Sequence, residues 1–211
     1  MAHPARRGPG RPPAAKAADT RKRILLAARE VFSERGYDAA TFQEIALRAD
    51  LTRPAINHYF SNKRVLYREV VDETADLIVR ASIARAQQET TLVGRVSAFL
   101  AAAFEADAED RSAARFLVTS VLESQRHPDL NDGENDSLRH SRAFLMWATA
   151  EAIERGELTT DADAESLTKM LLAVLCGVGF YSGFVGSAHE MATIINQLER
   201  LLAGTLWQLR L

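Results

Sequence analysis

From Ile24 onward, apolar side chains recur every three or four positions, and no pair of alternating apolar stretches flanks an Asn-Gly or Asp-Gly turn. A spacing near 3.6 gathers such residues on one face of a helix, whereas a half-buried strand needs a period of two. The chain is therefore expected to be all-α, with about nine helices. At 211 residues it is long enough for one good core, or for a small module fused to a larger one.

The opening MAHPARRGPGRPP is basic and proline-rich, with no apolar segment behind it, and so fits neither a secretory signal nor a membrane span. Residues 1–18 are expected to form a disordered basic tail. A first helix should begin near Asp19 or Thr20, bury Ile24, Leu25, Ala28, Val31 and Phe32, and stop at Gly36. A second starts at Thr41, where Thr41 and Glu44 have capping-box spacing, and buries Ile45 and Ala46. A third has Thr52 as N-cap, Leu51 and Ile56 as a hydrophobic staple, and Pro54 in its first turn, where the missing amide costs little. With Leu51, Ile56 and Phe60 turned inward, Arg53, Asn57 and His58 are left pointing out with no structural task. A long helix should then carry Val65, Leu66, Val70, Leu77 and Ile83 inward. Further helices are expected near 91–107, 111–126, 136–155, 161–185 and 189–209.

Charge divides the chain. Residues 1–70 hold 14 Lys and Arg against 7 Asp and Glu, leaving 12 against 21 for the rest, so a basic module precedes an acidic one. Arginine is favoured throughout, so its clustering at one end is the informative feature, and it points to nucleic acid. A single cysteine, Cys176, excludes a disulfide framework and a cysteine-rich zinc site, and fits a reducing cytoplasm.

Three short helices, the second and third joined by a tight turn, form a helix-turn-helix. The segment TFQEIALRADLTRPAINHYFSNKRVLY resembles the DNA-binding domain of the TetR family of bacterial transcriptional regulators, through Thr52, Tyr59-Phe60, Lys63 and Leu66-Tyr67. The resemblance implies a helix-turn-helix domain over residues 19–70 and an effector-binding and dimerisation domain over 71–211. It implies that Arg53, Pro54, Asn57 and His58, with Gln43 beside them, meet base edges, and that Thr41, Thr52, Tyr59 and Lys63 hold phosphates. The chemistry is compatible: Arg pairs bidentately with guanine and Asn or Gln with adenine, while hydroxyls and amides at helix starts suit phosphate oxygens. Each has a plainer rival: a cap alone for Thr41, a core edge for Tyr59, a solvated charge for Lys63. Asp50 stands where the family usually has Gly, which implies a remodelled turn or a left-handed aspartate. Asn57 replaces a common Tyr. Arg6, Arg7 and Arg11 in the tail are expected to form a minor-groove arm, the rival being a solubilising segment.

Beyond residue 70 the sequence holds no catalytic or metal-binding motif, so no enzyme activity, cofactor or metal is expected. The loop DLNDGEND resembles a calcium loop in composition only, since its glycine would set Pro128 and Leu130 at liganding positions. The uncharged run from Met170 to Ala188 is long enough for a membrane span. Its glycines, Ser182 and Tyr181, and the amphipathic helix after it, fit an interior helix instead, and no membrane partner is expected. Family members form homodimers through their last two helices and usually bind a small, often apolar effector. Phe99, Phe116, Trp147, Cys176 and Phe180 are the expected pocket residues. The resulting expectation is a cytoplasmic homodimeric repressor, released by a small apolar ligand from a pseudo-palindromic double-stranded DNA operator. An activator or an orphan regulator without an effector is the alternative.

Overall fold

The computed structural model describes residues 13–107, 112–130 and 135–206, and the regular elements among them are all helical. The arm residues Arg6, Arg7 and Arg11 lie outside that range. Helix α1 runs Pro13–Ala39, α2 Phe42–Arg48, α3 Arg53–Tyr59 and α4 Lys63–Ala75. A π turn, Asp76–Arg80, joins α4 to α5, Ala81–Ala86, as one long helix. Then follow α6 (Leu92–Asp107), α7 (Ser112–Arg126), a 3-10 turn at Pro128–Leu130, α8 (Asp136–Glu154), α9 (Ala164–Phe184) and α10 (Ala188–Leu202).

Helix α1 starts before the expected Asp19, so part of the stretch expected to be disordered is helical. The reason is local: the sequence AAKAA after Pro13 is made of strong helix formers, and proline is tolerated in a first turn. The five residues expected in its core, Ile24, Leu25, Ala28, Val31 and Phe32, are buried. The helix breaks at Gly36, whose φ of 76° and ψ of 175° disfavour any side chain, and one more turn follows to Ala39. The long fourth helix departs from expectation at Leu77, which is exposed, while Ile78 and Val79 are buried. A π turn holds more than 3.6 residues and so rotates the buried face from its α-helical register. Val65, in the first turn of α4, is exposed as well.

Two apolar cores result. The first gathers α1–α4 and takes in Phe116 of α7 and Leu130 of the 3-10 turn. The second gathers Val79, Phe99, Leu100, Phe144, Leu145 and Leu171. The first core does not end at residue 70, because α4 continues across it and α7 contributes to both cores. Tyr67 of α4 meets Phe32 and Tyr37 at 5.0 Å and Phe116 at 5.7 Å between ring centres. Arg29 of α1 bonds Ser112 at the start of α7 (2.9 Å), and His127, just past its end, meets Asp38 (3.2 Å). Helix α7 is therefore fastened to α1 at both ends. Against its other side Gly183 of α9 comes so close that a Cβ there would lie 2.8 Å from the Arg115 Cα, which only glycine permits.

Candidate nucleic-acid interface and ligand cavity

The turn between α2 and α3 is set by Asp50, at φ 52° the one non-glycine residue with positive φ among the described residues. An L-residue is strained there, aspartate less than most. The guanidinium of Arg23, from α1, donates to the carbonyls of both Ala49 and Asp50, so backbone contacts hold the turn where the family usually relies on glycine. The amide of Leu51 closes it onto the Ala46 carbonyl at 2.9 Å.

Both helix starts are capped. Thr41 Oγ1 accepts from the Glu44 amide at 3.2 Å and Thr52 Oγ1 from the Ala55 amide at 3.4 Å. The capping box at Thr41 is only half formed, because the Glu44 carboxylate reaches Arg35 at 3.2 Å instead of returning to the cap. Pro54 is the second residue of α3, as its first-turn tolerance requires. Ile56 and Phe60 are fully buried and Leu51 packs against them in the first core.

That seating leaves Arg53, Pro54, Asn57 and His58 exposed on α3, with Gln43 exposed on α2. Arg53, Asn57 and Gln43 make no hydrogen bond or ion pair among the described residues, and His58 only meets the Tyr59 ring edge-on at 5.4 Å. The structure brings these side chains to one surface formed by the two helices. Tyr59 is half-buried against the core, with Thr41 and Thr52 exposed at the two helix starts. Sequence reasoning missed Leu47, which is 79% exposed one turn after Gln43. An exposed leucine has no periodicity of its own, so no pattern could have singled it out.

Lys63, expected to hold a phosphate, is engaged within the fold. Its ammonium donates to the carbonyls of Tyr37 (2.7 Å), Asp38 (2.9 Å) and Ala40 (3.1 Å), and sits 4.6 Å from the Tyr37 ring centre. An ammonium has three protons, and each is given to a carbonyl at or just past the end of α1. Lys63 thus closes the last turn of α1 onto the start of α4, where Asn62 caps the Val65 amide at 3.0 Å.

A cavity of about 230 Å³ lies among α6, α7, α8, α9 and α10, with Ile78 and Val79 of the π turn in its wall. Of the five expected pocket residues, Phe99 and Cys176 line it. Phe116 does not, because its side of α7 faces the aromatic cluster of the first core while Leu117, Val118 and Val121 face the cavity. Trp147 lies on the surface with the Arg95 guanidinium 4.2 Å over its ring, and Phe180 is half-exposed, stacked on Phe184. Cys176 lines the cavity while remaining partly exposed, and desolvation pushes its thiol up. Sequence reasoning missed Asp107 and Ser137, both buried and both lining the cavity.

Comparison with known proteins agrees with this arrangement. Residues 24–70 match the family described as bacterial regulatory proteins, tetR family, and residues 93–206 match the C-terminal domain of BetI-type transcriptional repressors. The HTH-type transcriptional repressor BepR of Brucella suis biovar 1 is 31% identical over 77% of this chain and 80% of its own. The HTH-type transcriptional regulator TtgR of Pseudomonas putida is 28% identical with the same coverage. Among solved structures, the regulator FadR from Bacillus subtilis in complex with stearoyl-CoA superposes with a TM-score of 0.71, covering 88% of this chain and 99% of that one. At 20% identity that likeness bears on the fold alone.

Proposed function

The chain belongs to the tetR family of bacterial regulatory proteins, which makes it a DNA-binding transcriptional regulator, and from that premise we propose a cytoplasmic homodimeric repressor released from its operator by a small molecule. The observation that carries the reading is the row of side chains left over on α3. Arg53 and Asn57 are exposed, unpartnered and of the types that pair bidentately with guanine and adenine, and they stand on a basic module. Pro54 and His58 flank them to meet base edges, with Gln43 alongside, while Thr41, Thr52 and Tyr59 hold phosphates. Arg6, Arg7 and Arg11 supply a minor-groove arm. With both family matches falling on regulators, an enzymatic reading has nothing to recommend it.

Dimerisation is supported by the outer face of α9. By length and composition this helix is long and apolar enough to cross a membrane, yet only 22% of its most apolar window is buried. The exposed remainder includes Met170, Ala173, Gly177, Phe180 and Phe184, spaced three and four apart as one stripe, with Leu201 exposed on α10. Such a stripe suits the matching face of a second copy, giving an isologous interface and two recognition helices about one helical turn of DNA apart or slightly more. Sedimentation of the purified chain tests this: a dimer is expected, and Phe180→Asp should give a monomer that no longer binds operator at the same concentration.

Release is supported by the shared helix. The cavity and the helix-turn-helix core touch opposite faces of α7 and successive turns of the α4–α5 helix. A ligand that binds one arrangement of these helices more tightly than the other shifts the spacing of the two recognition helices by that difference in affinity. The Bacillus subtilis neighbour, solved with stearoyl-CoA, supports a small-molecule site within this fold. Reporter expression in a deletion strain separates repressor from activator: expression of the target should rise on deletion.

A further inference from the structure

Most of the cations in the described part of the basic module, from Lys16 to Arg68, are engaged inside the fold. Arg21 pairs with Glu69 and lies 4.6 Å over the Phe60 ring centre, while Arg23 holds the α2–α3 turn. Arg48 grips Glu34 through two bonds of 2.7 and 2.8 Å, Arg35 reaches Glu44, and Arg64 reaches Asp129 at 3.4 Å. Arg29 bonds Ser112, Lys63 gives its protons to three carbonyls, and Arg68 also has a partner. A phosphate contact by any of these would first cost the internal partner. Of the described cations in the module, only Lys16, Lys22 and Arg53 make no hydrogen bond or ion pair. Arg53 belongs to the outward row of α3. Lys22 faces α4: burial raises the Glu73 carboxyl, and the charges of Arg29 and Lys22 oppose that rise.

That leaves Lys16, whose place in α1 folding does not explain. Lys16, Ala17, Ala18 and Asp19 are all exposed, and four consecutive helical residues point to every side of a helix, so this stretch stands clear of the core. Burial in α1 begins at Ile24. The stretch is regular helix all the same, with Thr20 Oγ1 donating to the Lys16 carbonyl at 2.9 Å. Its one carboxylate, Asp19, is itself engaged. Lys16 precedes Arg23 by about two turns and so shares its face of the helix, about 10 Å further along the axis. Arg23 grips the turn that leads into α3, so Lys16 stands beyond the point where the outward row begins with Arg53.

Resting on the reading of α3 as the base-reading helix, we propose that the free-standing start of α1 is a further DNA contact, in which Lys16 binds a backbone phosphate flanking the groove that α3 enters. It takes the place of the contact that Lys63 is not free to make. Lys16 loses only water on meeting a phosphate, whereas Lys63 would have to leave three carbonyls. A phosphate carries the same charge beside every base, so Lys16 adds affinity and fixes orientation without adding sequence preference.

Binding of the full chain to its selected operator and to a random duplex, measured between about 50 and 200 mM salt, tests this. Each phosphate contact contributes about 0.9 to the slope of log affinity against log salt, so Lys16→Ala should lower the slope of a dimer by about 1.8 on both DNAs. Base preference should be unchanged. Alanine is a strong helix former, so α1 persists in this variant. Lys16→Arg should restore the slope, and Lys22→Ala should leave it at the wild-type value. Ala17→Pro keeps every charge but breaks the free turns, and should lose at least as much slope as Lys16→Ala. The proposal is overturned by an unchanged slope in Lys16→Ala or Ala17→Pro, by an equal loss in Lys22→Ala, by no recovery in Lys16→Arg, or by base preference altered in Lys16→Ala. Failure of the α3 reading looks different: the wild type would bind operator no more tightly than random duplex, while the slope loss in Lys16→Ala persisted and upheld the Lys16 contact.

Discussion

Replacing Lys63 by methionine separates two roles that the sequence allows for one side chain. Met keeps most of the stem and removes the ammonium, freeing the carbonyls of Tyr37, Asp38 and Ala40, which lie 2.7, 2.9 and 3.1 Å from it. The first two are among the last carbonyls of α1 and the third follows its end, so none has a helical donor to fall back on. A hydrogen bond to a charged group contributes about 1.5–3 kcal/mol. Here the site is only half-buried, so water replaces much of what is lost, and the net cost should be about 2 kcal/mol rather than three times the single value. For a chain of this size each kcal/mol lowers Tm by about 2–4 °C, so Lys63→Met should melt about 4–8 °C below wild type. Thermal unfolding followed by circular dichroism measures this directly. A phosphate contact, by contrast, adds about 0.9 to the slope of log affinity against log salt on duplex DNA. The salt slope of Lys63→Met should equal that of the wild type. A slope reduced by about one with an unchanged Tm would refute the structural role and restore the phosphate contact.

Other perturbations test neighbouring parts of the molecule. Asp50→Val forces a β-branched residue to φ 52° and should cost about 1–2 kcal/mol in urea denaturation, while Asp50→Gly should stay close to wild type; equal stability of all three would show that the turn relaxes without strain. The Arg95 guanidinium, bonded to Glu151 at 2.7 Å, holds the Glu151 carboxyl below the usual carboxylate range. A lowered carboxylate stabilises the fold fully above its unfolded value, and that stability is lost as pH falls through the folded one. Glu151→Gln should therefore flatten the decline of Tm below about pH 4.5 and leave its shape at pH 7 unaltered; an unchanged acid limb would sink the attribution. Gly36→Ala adds a Cβ at φ 76° and 2.9 Å from the Glu123 carboxylate, and should lower Tm by several degrees, about 1–2 kcal/mol. No change in Tm would mean that α1 does not need its break.

Much of the fold could be read from spacing, because helix faces and caps are local. The inward residues of α1 and α3, the caps Thr41 and Thr52, the proline in the first turn of α3 and the left-handed option at Asp50 all follow from neighbours within one turn. What depends on distant neighbours was not legible. Nothing local distinguishes Phe116, which faces the first core, from Leu117, which faces the cavity. The π turn has no sequence mark, so counting turns places Leu77 inward although it lies outside. Lys63 is the sharpest case, since a lysine at a helix start looks the same whether its proton donors meet phosphate or the carbonyls of a helix 23 to 26 residues away.

The central claim, that the outward row of α3 reads bases, is tested most directly by selecting bound fragments from random double-stranded DNA with the wild type, Arg53→Ala and Asn57→Ala. The wild type should enrich one inverted repeat with half-sites about a helical turn apart, and each variant should lose preference at one position per half-site, at about 1–3 kcal/mol, while binding random DNA nearly as well as before. Enrichment of the same repeat, with the same preference at every position, by all three proteins would contradict it.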